Sequence, residues 1–181
     1  MKLTPVLVTV LGGATAEAAP DGAVVRVENS FELTIAAAYD QVAPLFGAWA
    51  ERAWAGDDWK PEFLYPLPPR DEPGEVFWIA HGHQRAVWVN TAMDLKVGFI
   101  QYVYVIPDVQ VAVIDIHLER RGPSGTHARV TYRRTALDPS ANAQVTRLGV
   151  HDGQAGQEWE AAISAAVRAA STGRGGAPSH P

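Results

Sequence analysis

His81-Gly82-His83 places two imidazoles two residues apart, and Asp115-Ile116-His117 does the same with a carboxylate and an imidazole. In an extended chain, positions i and i+2 share one face. Each pair could therefore offer two ligands to a metal, or a proton donor and acceptor to a substrate, if the two strands met in space. Alternation argues against that meeting. Val109 to Leu118 reads as a strand burying Ala112, Ile114, Ile116 and Leu118, which turns Asp115 and His117 outward. No metal and no cofactor is expected. His81, on the side of Phe77 and Ile79, is the one weak catalytic candidate, as an acid, base or polar anchor at the edge of an apolar interior.

Aromatic residues offer a second kind of chemistry, since a ring packs against an apolar ligand while its hydroxyl or N–H fixes one polar group. In Val97 to Ile106, Gln101 marks the wetter face and leaves Ile100, Tyr102, Tyr104 and Ile106 on the other. In Thr126 to Ala136, His127, Arg129, Thr131 and Arg133 share one face, so Ala128, Val130 and Tyr132 point inward. Together with His81, the residues Trp88, Tyr102, Tyr104, Tyr132 and Trp159 form the expected ligand-binding set, although each also suits plain core packing.

Other chemistries lack their residues. The 181-residue chain has no cysteine, which excludes disulfides, thiol nucleophiles and thiolate-bound zinc. Asp57-Asp58 and Asp71-Glu72 fall in turns and read as solvated charges, not as a glycosidase pair. There is neither a glycine-rich phosphate loop nor a Gly-x-Ser-x-Gly elbow. A net charge of −5 with no basic stripe makes nucleic acid an unsuitable partner.

The elements that must position these side chains follow from periodicity. Val24 to Leu33 reads as a first strand, Ile35 to Phe46 as a short helix capped by Thr34, and Ala48 to Ala55 as a second. Trp59 to Pro73 holds too many prolines for a central strand and is too apolar for a linker, so an ordered loop lying on the body is expected. Five strand-like segments follow, near Val76 to Ala80, Ala86 to Ala92, Val97 to Ile106, Val109 to Leu118 and Thr126 to Leu137, with breaks short enough for an antiparallel meander. Asp138-Pro139 opens a short helix expected to end at Gly149. Trp159, Ala162, Ile163, Ala166, Val167 and Ala170 then repeat at helical spacing as one buried stripe.

At the N-terminus, Met1-Lys2, the apolar run Leu3 to Leu11 and Ala16-Glu17-Ala18 fit a secretory signal cleaved after Ala18. Export to a periplasmic or extracellular space is expected on that reading, and a cytoplasmic protein otherwise. No later segment reaches the roughly 20 apolar residues of a membrane span. The expected organisation is a leader over residues 1–18, one domain over 24–171 and a disordered tail over 172–181.

Taken in order, a strand, two short helices, a meander and a long terminal helix resemble the SRPBCC superfamily. This is the START-like, birch-pollen-allergen-like helix-grip fold, and the match is nearest to its bacterial members. The residues carrying the resemblance are Trp59-x-Pro61-x-Phe63-Leu64, Gly74-x-Val76-Phe77, Trp88-Val89, Tyr102 near Pro107, Thr131-Tyr132-x-x-Thr135-Ala136-Leu137 and Glu158-Trp159-Glu160. The resemblance implies an α+β fold in which a curved antiparallel sheet wraps a long C-terminal helix over a cavity for lipids, sterols, polyketides or similar molecules. The expected function is binding of a small hydrophobic or amphipathic ligand. Two alternatives accompany it: a cyclase, dehydratase or hydrolase using His81, and an interaction module using the Trp59 to Pro69 stretch.

Overall fold

The computed structural model describes residues 22–174. Seven antiparallel strands form one curved sheet in the order β1-β7-β6-β5-β4-β3-β2. They are β1 (Arg26–Ile35), β2 (Glu62–Tyr65), β3 (Val76–His81), β4 (Gln84–Asp94), β5 (Phe99–Ile106), β6 (Gln110–Arg120) and β7 (Thr126–Ala136). The meander β3 to β7 runs in sequence order because its turns are short. β1 closes the far edge against β7 from Arg26↔Thr135 to Ile35↔Thr126. Helices α1 (Tyr39–Val42), α2 (Asn142–Asp152) and α3 (Gly156–Arg174) complete the fold, with 3-10 turns at Ala43–Phe46, Ala50–Ala53 and Pro139–Ala141.

Alternation sorts the strands as the sequence implies. β5 buries Ile100, Tyr102, Tyr104 and Ile106, and β6 buries Ala112, Ile114, Ile116 and Leu118. These residues meet Phe31, Phe46, Phe77 and Ile163 of α3 in one core. Each large apolar side chain so buried contributes about 1.5–3 kcal/mol, which a chain without disulfides requires.

Several local expectations change. Thr34 does not cap a helix, because β1 continues through Ile35; α1 is a single turn that Pro44 hands over to a 3-10 turn. The second helix is likewise only the 3-10 turn Ala50–Ala53. The proline-rich stretch is not all loop: Glu62–Tyr65 pairs with β3 as an edge strand, where flanking prolines are tolerated, with a shift of register between Phe63 and Tyr65. Gly149 does not end α2, which runs on to Asp152. Its lack of a side chain serves packing instead, since a Cβ there would lie 2.8 Å from Val27 Cγ2. Helix α3 runs three residues past Ser171, to Arg174. The expected leader and the end of the expected tail lie outside the described residues.

A candidate ligand cavity between sheet and helix

Glu51 is brought inside the fold by a device the sequence hides. The Asp71 carboxylate accepts the backbone amides of Trp49 at 2.7 Å and Ala50 at 3.3 Å. It thereby satisfies the free donors at the start of the 3-10 turn that carries Glu51. The same carboxylate packs on Gly47, where a Cβ would lie 2.2 Å from Asp71 Cγ. A second clamp comes from β5: the Tyr102 hydroxyl accepts the Ala48 amide at 3.0 Å and donates to the Phe46 carbonyl at 3.2 Å. The turn is thus held on both sides, and Glu51 is left only 6 % exposed.

The cavity beside it measures about 260 Å³. Its floor is Ile114, Ile116 and Tyr132 of the sheet, and its roof is Trp159 and Ala162 of α3. Trp54, Trp59 and Trp88 form the walls, and the exposed Gly56 and Glu158 mark the mouth. Trp54 stands edge-on to Trp159 at 5.0 Å, and Trp59 edge-on to Trp88 at 5.5 Å. The Trp54 and Trp59 N–H groups donate to the Leu45 and Ala48 carbonyls at 2.7 and 3.0 Å, which fixes both rings.

Three acidic groups cluster on this side. Burial pushes the Glu51 carboxyl well above its ordinary range, and the neighbouring Asp71 and Glu75 add to the effect. Glu75 is fully buried, and neither of its oxygens has a hydrogen-bond partner among the described residues. Its burial, then Asp71 and Glu72, raise its pKa to about 8. Burial also raises Asp71, partly offset by the two amides it accepts. Burial thus favours the protonated form of the Glu51 carboxyl on the cavity wall, the form able to donate one hydrogen bond or release one proton.

The expected ligand-binding residues separate into two groups. Trp88, Tyr102, Tyr132 and Trp159 line the cavity, although the Tyr102 hydroxyl is already committed to the backbone. His81 and Tyr104 do not line it. They belong to an adjoining wider recess that shares Ala55, Trp59, Trp88 and Tyr132 with the cavity. Tyr104 stacks on Trp88 at 4.1 Å, and its hydroxyl accepts from Arg134 and from Gln110. Arg134 in turn grips Asp152 of α2 through two bonds of 2.6 and 2.7 Å. Burial opposes both charges and raises the Asp152 pKa. The paired geometry nevertheless holds Arg134 as a cation, its pKa raised by Asp152 and Tyr104 against the burial. This is a locking network for α2.

His81 is exposed at the end of β3, 6.2 Å from the Tyr104 ring, and partial burial and Arg134 lower its pKa. An exposed imidazole outside the cavity does not serve the enzymatic alternative. His81 and His117 also cannot share a metal, because β4 and β5 separate their strands. Asp115 is engaged on the outer face by Arg133 and Gln101. Among the described residues no group of three or more His, Cys, Asp or Glu is placed to hold a metal ion, and no helix is long and apolar enough to cross a membrane.

Sequence reasoning missed Glu51, Glu75 and Arg134, and took Asp71 for a solvated charge. Arg134 could have been found, since it continues the inward alternation of Val130 and Tyr132. Glu51 could not: it lies in an irregular turn whose inner side is set by Asp71, twenty residues later in the chain.

No protein-family model matches the sequence, and no curated protein does. Solved structures do match. Norcoclaurine synthase from Thalictrum flavum, in complex with dopamine and hydroxybenzaldehyde, is 15 % identical with a TM-score of 0.58, covering 81 % of this chain and 88 % of its own. Mll3558 from Rhizobium loti is 21 % identical with a TM-score of 0.55, over 80 % of this chain and 99 % of its own. CalU16 from Micromonospora echinospora is 15 % identical with a TM-score of 0.54, over 90 % and 91 %. At these identities the likeness is one of fold: the chain shares the helix-grip fold of these structures.

Proposed function

We infer that this protein binds a small apolar or amphipathic molecule in the cavity between the sheet and α3. The observation carrying this reading is a 260 Å³ space walled by four tryptophans and holding one buried carboxyl. Core packing alone would have closed such a space, because native interiors are close-packed. Its volume falls just below the ~300–1,000 Å³ typical of ligand pockets, which favours a one- or two-ring compound over a sterol or a long acyl chain. Binding would be driven by removal of apolar ligand surface from water, at about 25 cal/mol per Å², with Glu51 selecting one polar group. The expected leader makes export part of the proposal, with Ala19 as the mature N-terminus.

Native mass spectrometry of protein isolated from its source cells tests this reading. A bound molecule of small mass, released on denaturation, supports it. A mass equal to the bare chain under the gentlest conditions counts against it, and the denatured mass reports whether residues 1–18 have been removed.

A further inference from the structure

The charges on the cavity wall restrict the ligand further. Its two ionisable carboxyl residues are Glu51 inside and Glu158 at the mouth, and no lysine, arginine or histidine lines it. Glu51 is the unusual one: only 6 % exposed, it lines the cavity, and burial together with Asp71 and Glu75 pushes its carboxyl up. An opposite charge brought beside such a carboxyl favours its ionised form. Trp54, Trp59, Trp88 and Trp159 line the same cavity as that carboxyl. Indole rings and a carboxylate in one desolvated cavity are the groups that attract an organic cation.

We propose that the ligand of this cavity is an organic ammonium ion, seated among Trp54, Trp59, Trp88 and Trp159 with its charge against Glu51. The inference rests on the cavity-binding reading above and narrows its ligand class. Charge balance sets a further requirement. Burial favours the protonated form of Glu51; seating a cation on that form moves its proton to solvent: the O–H bond of the carboxyl breaks, a buffer base takes the proton, and the carboxylate pairs with the ammonium. The titratable groups facing Glu51 are Asp71, Glu75, Tyr102, Tyr132 and Glu158. None is a cation, so nothing in the wall competes with the ligand for this carboxylate.

The test uses two probes of the same shape, benzyltrimethylammonium and its uncharged carbon analogue neopentylbenzene, titrated into the full chain while tryptophan fluorescence is followed. At pH 8 the cation should bind at least tenfold more tightly than the neutral probe. Calorimetry in buffers of different ionisation enthalpy should show more proton release with the cation than with the neutral probe. In Glu51→Gln the preference should fall to within twofold; Glu158→Gln, at the exposed mouth, should weaken the preference by less. Equal affinities, a preference that survives Glu51→Gln, or no proton release would each overturn the proposal while leaving the cavity-binding reading in place. Should neither probe bind the wild-type chain, both would fall. If Glu51→Gln proves unfolded by circular dichroism, proton release in the wild-type protein decides.

Discussion

Asp71 accepts the Trp49 amide at 2.7 Å, tying the segment between β2 and β3 to the turn that carries Glu51. Asp71 is thus one of the two side chains, with Tyr102, that hold the buried carboxyl toward the cavity. Asp71→Ala removes the acceptor for two turn amides, and loss of a capping carboxylate costs about 0.5–2 kcal/mol. Thermal unfolding should show that loss. Glu51 should also shift out of register, so any Glu51-dependent cation preference should shrink in this variant although Asp71 does not line the cavity.

Glu75 makes stability depend on pH. Its folded pKa is raised from 4.5 to about 8, so between those values the native state holds a proton that the unfolded chain has lost. Its contribution is fully present below about pH 4.5 and is lost as pH rises through about 8. Denaturant titrations should therefore give falling stability between pH 5 and 8, by a total on the order of 2–5 kcal/mol at 1.36 kcal/mol per pKa unit. Glu75→Gln should flatten that slope and be the more stable protein at pH 8.

The Arg134–Asp152 pair should behave as a buried ion pair, where removing one partner strands the other. Asp152→Asn or Arg134→Met is expected to cost about 3–5 kcal/mol. The double substitution Arg134→Met with Asp152→Leu should recover much of the loss, as a double-mutant cycle in urea would show.

Tyr104→Phe and Tyr102→Phe separate packing from binding. The first removes an acceptor from Arg134, for about 1 kcal/mol, and should leave affinity for a cavity ligand unchanged, because Tyr104 lies outside the 260 Å³ space. The second strands the buried Ala48 amide and should cost about 1–3 kcal/mol. Urea midpoints and probe affinities on both variants check this.

The architecture was legible because it rests on alternation. Ile100, Tyr102, Tyr104 and Ile106 repeat every second residue, and Trp159, Ile163 and Val167 every fourth, so faces and partners follow from period alone. Of the cavity's aromatic residues, Trp88, Trp159 and Tyr132 were legible from their strands and helix, whereas Trp54 and Trp59, on irregular backbone, were not. What escaped reading depends on irregular backbone. Ala48 to Ala55 has helical composition, yet the Asp71 and Tyr102 contacts hold it as a 3-10 turn. Glu51 and Glu75 are charged residues that local pattern assigns to solvent, and only tertiary contacts bury them. His81 follows Ile79 in alternation, but β3 ends at its position and leaves it exposed.

The central claim is that a small molecule enters between the sheet and α3, and Ala162 gives the most direct access to it. Two-dimensional NMR of the full chain, titrated with a neutral two-ring aromatic such as 2-naphthol, should show saturable shifts at Ala162, Trp159 and Tyr132. Ala162→Phe fills the cavity from the helix side and should abolish those shifts without lowering the melting temperature. No saturable shift in the wild-type protein, or the same shifts in Ala162→Phe, would contradict the account.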